Sequence, residues 1–145
     1  MIVYLVRHGH AEQRAAQGGD AARALTGEGR AHFEAHAAAL AGRMEVARIV
    51  TSPLRRARQT AEILARAARA ALAEDEALAS GASDGRGLLD LARRSGPGTA
   101  LVGHNPELAA AIALAAGREV EVKPGAVAAV ELEAHGARLL WVEAP

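Results

Sequence analysis

The chain has 145 residues, half of them hydrophobic, with 17 basic side chains against 17 acidic ones and no cysteine; most domains contain about 100 to 150 residues, so residues 1–145 read as a single domain. Balanced charge and only three aromatics, Tyr4, Phe33 and Trp141, leave neither the basic excess nor the stacking platforms of a nucleic-acid binder. Without cysteine there is no disulfide, thiol nucleophile or cysteine-held metal, and Arg7 interrupts the apolar start before a signal peptide or membrane span is complete, which predicts a cytoplasmic protein with no membrane association.

The run Ile2-Val3-Tyr4-Leu5-Val6 is short, apolar and rich in β-branched residues, as a buried strand should be, and it ends on Arg7-His8-Gly9. A polar loop from about Glu12 to Arg23 follows. Thr26 then has the chemistry to cap a helix running to about Leu40, with Glu28 in its first turn and Gly42 as a stop. Val46 to Thr51 reads as a second strand. Ser52 as a cap with Pro53 at the first helical position predicts a helix over Leu54, Ala57, Ala61, Leu64 and Ala68, ending near Ala70. Residues 71–86 carry little pattern and are read as a Ser/Gly-rich loop after Glu74-Asp75-Glu76, with a short helix through Leu88, Leu89 and Leu91. Gly96-Pro97-Gly98 turns into a third strand, Thr99 to Val102, which runs into Gly103-His104-Asn105-Pro106 and a helix to about Ala116. Glu119 to Val122 alternates like an edge strand, Lys123-Pro124-Gly125 is a turn, and closing strands are predicted over Ala126–Leu132 and Arg138–Val142.

Strands that alternate with helices predict an α/β fold: three layers, α/β/α, around a mostly parallel sheet. Ligands of such sheets bind outside the carboxyl ends of the strands. Arg7-His8, the Ser52–Arg56 segment and Gly103-His104 all fall at those ends, so three separated motifs are expected to form one site. Its arginines, histidines and helix N-termini suit a phosphate, with no carboxylate expected in the inner ring. Phosphoryl transfer needs such fixed positive donors and an in-line nucleophile, and a neutral imidazole can be that nucleophile. A His-Glu-x-x-His metal site and a Gly-x-Ser-x-Gly serine elbow are both missing, so neither a metal nor another cofactor is expected.

The ordered set Leu5-Val6-Arg7-His8-Gly9, Arg23-Ala24-Leu25-Thr26, Ser52-Pro53-Leu54-Arg55-Arg56-Ala57-Arg58-Gln59-Thr60 and Val102-Gly103-His104-Asn105-Pro106 resembles the histidine phosphatase, or phosphoglycerate mutase-like, superfamily. Within it the short SixA-like phosphohistidine phosphatases are most similar, and the likeness extends to Lys123-Pro124-Gly125. The resemblance implies that His8 is the phosphorylated nucleophile and that Arg7, Arg56 and His104 hold the phosphoryl oxygens. Arg56, which directly precedes Ala57, matches the family arginine, and Arg55 does not. Arg23 matches an arginine that lines the pocket in SixA-like members.

Many ester-cleaving members of the superfamily supply a carboxylic acid to the leaving oxygen; Glu76, Asp84 and Glu12 are the candidates for it here. A phosphohistidine nitrogen leaves more readily than an alkoxide, so a weak or missing acid favours a phosphohistidine-bearing protein as substrate. The alternative is a small phosphomonoester, and a third reading is a non-catalytic phosphate-binding domain. Arg55 and Arg58 are read as a solvated face, His10 as facing solvent or the pocket mouth, and His32 and His36 as an exposed helix face. His135 lies in a turn, and Asn105 is expected to shape the phosphate loop at a helix start.

Overall fold

The computed structural model describes residues 1–145. β1 (Ile2–Arg7), β2 (Arg48–Thr51), β3 (Ala71–Glu74) and β4 (Thr99–Gly103) alternate with α1 (Gly27–Leu40), α2 (Arg55–Ala68) and α3 (Gly85–Ser95); α4 (Glu107–Ala116) and the hairpin of β5 (Val127–Glu133) and β6 (Gly136–Glu143) complete the chain. The six strands form one sheet in the order β3-β2-β4-β1-β5-β6. The first four are mutually parallel, whereas β5 runs antiparallel to β1 and β6 antiparallel to β5.

Side chains of a strand alternate between faces, and this sheet buries both. Val3 and Leu5 of β1, Leu101 of β4 and Val130 of β5 join Leu88 of α3 and Leu108 and Ile112 of α4 in one core. Tyr4, Val6, Val102 and Val127 point the other way, to Phe33 and Leu40 of α1 and Leu64 of α2. Each fully buried side chain of this kind contributes roughly 1.5–3 kcal/mol of burial. The result is the three-layer α/β/α fold expected, with a sheet that is parallel over four of its strands. No helix is long and apolar enough to cross a membrane.

Four local expectations need correcting. Residues 71–86 do not form a loop throughout: Ala71–Glu74 adds a parallel strand beside β2, followed by a short 3-10 turn over Glu76–Leu78. Residues 119–122 alternate but form no strand; Val122 turns inward and its carbonyl accepts hydrogen bonds from Arg7 and Asn105. α2 begins at Arg55, two residues later than the Ser52 cap implied, because Ser52 Oγ accepts from the Leu54 N–H and closes the turn before the helix. His36 is buried, not exposed: its Nε2 lies 3.1 Å from the Glu143 carbonyl, and its ring meets Phe33 edge-on.

Thr26 caps α1 as expected, with Oγ1 accepting from the Gly29 N–H at 2.9 Å. Tyr4 donates nothing to the core it faces; its hydroxyl accepts the Glu45 N–H at 2.9 Å, and its ring lies 6.3 Å from Trp141. Gly85 is a packing requirement. A Cβ there would stand 2.7 Å from the backbone of Ala110 and Ala111, so α3 and α4 approach each other across a missing side chain. Gly85→Ala is therefore expected to lower unfolding free energy by about 1–3 kcal/mol, as overpacking does. Gly27→Ala, where a Cβ meets nothing within 4 Å, should change it little. Urea unfolding of both variants beside wild type checks the contrast.

Candidate active site

Parallel pairing in register puts Arg7 opposite Gly103 and Thr51 opposite Val102. The ladder continues one step past each strand: the His8 N–H donates to the Gly103 carbonyl at 3.1 Å, and the Ser52 N–H donates to Val102 at 2.9 Å. Residues far apart in sequence therefore leave the sheet at one edge. A cavity of about 340 Å³ lies there, lined by Arg7, His8, Arg23, Arg56 and His104 together with Asp20.

His8 is buried, and its Nδ1 lies 2.7 Å from the Gly9 carbonyl. A carbonyl can only accept, so Nδ1 carries the proton and the neutral ring keeps its lone pair on Nε2. The ring is held neutral: burial pushes its pKa down to about 4 against the upward pull of the Gly9 hydrogen bond, with Arg56, Arg7 and Arg23 adding to the fall. His104 is pushed down to about 3, first by burial and then by His8 and Arg56. Its Nε2 is 2.8 Å from Ser52 Oγ, and the two imidazoles face each other with centroids 5.1 Å apart.

The guanidiniums are fixed by backbone oxygens. Arg7 donates Nη1 to Val122 O at 2.9 Å, and Arg56 donates Nη1 to Asp20 O at 2.9 Å. Arg56 is almost wholly buried, 3% exposed. Arg55, its neighbour, is exposed. Arg7 Nε, Arg56 Nε and His104 Nδ1 are buried without a partner in the protein. Such nitrogens are costly to desolvate, and a cradle that awaits an anion is one setting that tolerates them. Arg23 also lines the cavity, with Nε on Asp20 Oδ1 at 2.9 Å and Nη1 on the Glu12 carbonyl at 2.7 Å.

Asp20 departs from the expectation of an inner ring free of carboxylates. It reaches Arg56 Nη2 at 3.1 Å through Oδ2 while Oδ1 meets Arg23. Its partial desolvation pushes the carboxyl pKa up, but Arg56 and then Arg23 hold it below the usual value, so it stays ionised. The spacing Asp20-x-x-Arg23 was the available signal for it, since a carboxylate and a guanidinium three apart in a turn can pair.

None of the three carboxylic acids considered from sequence lines the cavity. Glu12 Oε1 accepts the Ala24 N–H, Asp84 Oδ1 caps α3 at Gly87, and Glu76 is exposed on the 3-10 turn. His10 sits at the cavity rim, with Nδ1 3.0 Å from Thr26 Oγ1. Asn105 braces the loop after β4, donating to Val122 O and accepting the Ala109 N–H. Arg58 is exposed and lies 3.8 Å from Glu74.

Thr60, the last residue of the Ser52–Thr60 motif, helps to hold the site together. Its Oγ1 accepts the buried Gly9 N–H at 3.0 Å while its hydroxyl donates to Arg56 O at 2.8 Å. One side chain thus ties the residue after His8 to the turn that carries Arg56. Thr60→Val keeps the shape and removes both bonds. It should cost about 1–3 kcal/mol, the penalty for an unsatisfied buried N–H, read by urea unfolding.

The neutral histidines also set a pH dependence. Because the folded-state values lie below the ordinary 6.5, the unfolded chain takes up protons that the folded chain refuses. Stability is thus complete above about pH 6.5 and falls as the pH drops toward 4, by on the order of 3 kcal/mol for His8. Unfolding curves at pH 7, 6 and 5 should move steadily to lower urea, and the double variant His8→Gln, His104→Gln should show a flatter profile.

Comparison with known proteins identifies the family and the fold. Residues 3–94, more than half of the chain, match the model of the histidine phosphatase superfamily, branch 1. A sequence search of curated proteins finds no match. Among solved structures, a protein from Agrobacterium tumefaciens assigned as the phosphohistidine phosphatase SixA superposes with a TM-score of 0.86 at 25% identity, over 99% of this chain and 97% of its own. The protein histidine phosphatase SixA complexed with tungstate gives 0.85 at 24% identity, over 99% and 97%. A phosphoserine phosphatase from Entamoeba histolytica shares the fold more loosely, with 0.71 at 16% identity over 97% and 95%. A matched family model and a sheet edge that gathers Arg7, His8, Arg56 and His104 in one cavity lead to the same place, and the chain belongs to the histidine phosphatase superfamily.

Proposed function

We propose that the protein is a phosphatase that removes the phosphoryl group from a phosphohistidine in a protein partner, by way of a phosphohistidine intermediate on its own His8 and without a metal. The observation that carries this reading is the state of His8: a neutral ring, its Nδ1–H engaged by Gly9, its Nε2 lone pair free beside three guanidiniums. The likeness to SixA structures, one of them holding the tetrahedral oxyanion tungstate, supports the same substrate class.

In the first step His8 Nε2 attacks phosphorus, the new P–N bond forms, and the P–N bond to the partner's ring breaks in line with it. The departing nitrogen keeps the bonding pair, and a partner ring already protonated on its other nitrogen leaves as a neutral imidazole. No acid from this chain is needed for that. His8 becomes a phosphorylated imidazolium whose Nδ1–H still donates to Gly9 O. Arg7, Arg56 and His104 stabilise the charge on the equatorial oxygens. In the second step water attacks phosphorus, the pair of the P–Nε2 bond returns to His8, and the proton lost by water goes to solvent or to the released phosphate.

The carboxylates favour this substrate over an ester. An alkoxide leaving group needs a proton donor, and the carboxylate that lines the cavity, Asp20, is held ionised by two arginines. A small phosphomonoester remains the second reading, since Glu12 lies on the loop that carries Asp20, and a non-catalytic phosphate-binding domain is the third.

The test compares wild type with His8→Ala, in chelator, on a phosphohistidine-bearing protein and on an aryl phosphate. Fast loss of phosphate from phosphohistidine, reduced at least a thousandfold (about 4 kcal/mol of barrier) in His8→Ala, with weak ester turnover, is the expected result. Strong ester turnover would favour the small-molecule reading, activity that survives in His8→Ala would overturn the mechanism, and activity abolished by chelator would overturn metal independence.

A further inference from the structure

Asp20 bridges two of the guanidiniums that would otherwise face a phosphate. Its Oδ1 meets Arg23 Nε at 2.9 Å and its Oδ2 meets Arg56 Nη2 at 3.1 Å, so two oxygens on one anionic group span two arginines. That is how a tetrahedral oxyanion uses guanidinium forks. Arg56 is buried and cannot move to solvent, whereas the Asp20 side chain is 63% exposed and can. Gly18 and Gly19, at φ +89° and +71°, directly precede Asp20. Those left-handed conformations are cheap for glycine and leave the segment without side chains to pack.

We infer that Asp20 is an internal competitor for the phosphate position, a specificity-determining residue that occupies Arg56 and Arg23 in the free protein and limits how tightly the pocket retains inorganic phosphate. The inference rests on the phosphatase reading above for its purpose, though not for its test. A tethered carboxylate is present at an effective concentration of the order of millimolar, so free phosphate must compete with it at every encounter. A phosphoryl group delivered by a docked partner competes on better terms, because the partner's contacts add to its own. Displacement needs no bond change in Asp20: the carboxylate turns to water, while the Asp20 backbone carbonyl keeps its bond to Arg56 Nη1.

The opposite role is also clear in physical terms. Asp20 could instead hold the two guanidiniums in place, and then its removal would weaken anion binding. Calorimetric titration with inorganic phosphate, in chelator, separates the two for wild type, Asp20→Asn and Asp20→Glu. Competition predicts a dissociation constant about tenfold lower in Asp20→Asn, equivalent to about 1.4 kcal/mol, and near the wild-type value in Asp20→Glu, which keeps the charge. Binding that is unchanged or weaker in Asp20→Asn overturns the inference, and so does the absence of measurable phosphate binding in all three proteins. Turnover gives a second readout: product inhibition by added phosphate should set in at about one-tenth the concentration in Asp20→Asn. Because the titration needs no turnover, tighter binding in a chain that hydrolyses nothing would uphold the competition and sink the phosphatase reading alone.

Discussion

The hydrogen bond from the His8 N–H to the Gly103 carbonyl extends the β1–β4 ladder one residue beyond the strands, and the geometry of the whole site follows from it. Parallel neighbours end together, so a bond at the last rung fixes where both chains depart. His8 leaves from one and His104 from the other, which places their rings 5.1 Å apart without any contact designed between the side chains. On the far side of β4, the Ser52 N–H repeats the device by donating to Val102, and Ser52 Oγ then meets His104 Nε2. The antiparallel hairpin joins the same arrangement from the other flank: the Arg7 N–H donates to the Ala126 carbonyl, and the Gly125 N–H is shared between the carbonyls of Arg7 and His8. The site is an extension of backbone pairing, and the side chains inherit their positions from it.

Positive charge is concentrated at that edge in a form that stays available. The guanidiniums are anchored by backbone carbonyls of Val122, Asp20 and Glu12, which orient them and leave part of each fork open. The histidines contribute no charge, because burial among arginines holds both neutral. Desolvation therefore divides the labour: groups that cannot lose a proton supply the field, and groups that can lose one are made to do so. Asp20 is the counterweight, a single carboxylate whose ionisation the same arginines enforce.

The motifs that meet at the candidate site were legible because each combines a strand ending with residue types that have few alternative uses there. Arg7-His8-Gly9 and Gly103-His104 interrupt apolar runs, and the parallel sheet does the rest. What stayed hidden depended on tertiary context. Ala71–Glu74 is an exposed edge strand with no apolar alternation, so only its neighbour β2 identifies it. Glu119–Val122 had the alternation and no strand, since the Val122 carbonyl was needed by Arg7 and Asn105 instead. His36 reads as surface on its own helix, and only the docking of the Glu143 carbonyl makes it interior. Asp20 lay unseen in a polar loop because nothing local says that Arg56, thirty-six residues on, would come to meet it. Thr60 shows the same limit at the level of role: its place in the motif was visible, while its bond to Gly9 belongs to the fold.

The contact between His8 Nδ1 and the Gly9 carbonyl has a consequence for chemical identity. Imidazole offers two nitrogens, and phosphorylating one or the other yields two regioisomers that differ in how readily the phosphoryl group is lost. A ring whose Nδ1–H is spent on the next residue's carbonyl at 2.7 Å has only one nitrogen left to derivatise. Any phosphoryl group borne by His8 is therefore the Nε2 isomer, and the selection is made by the main chain before a substrate arrives.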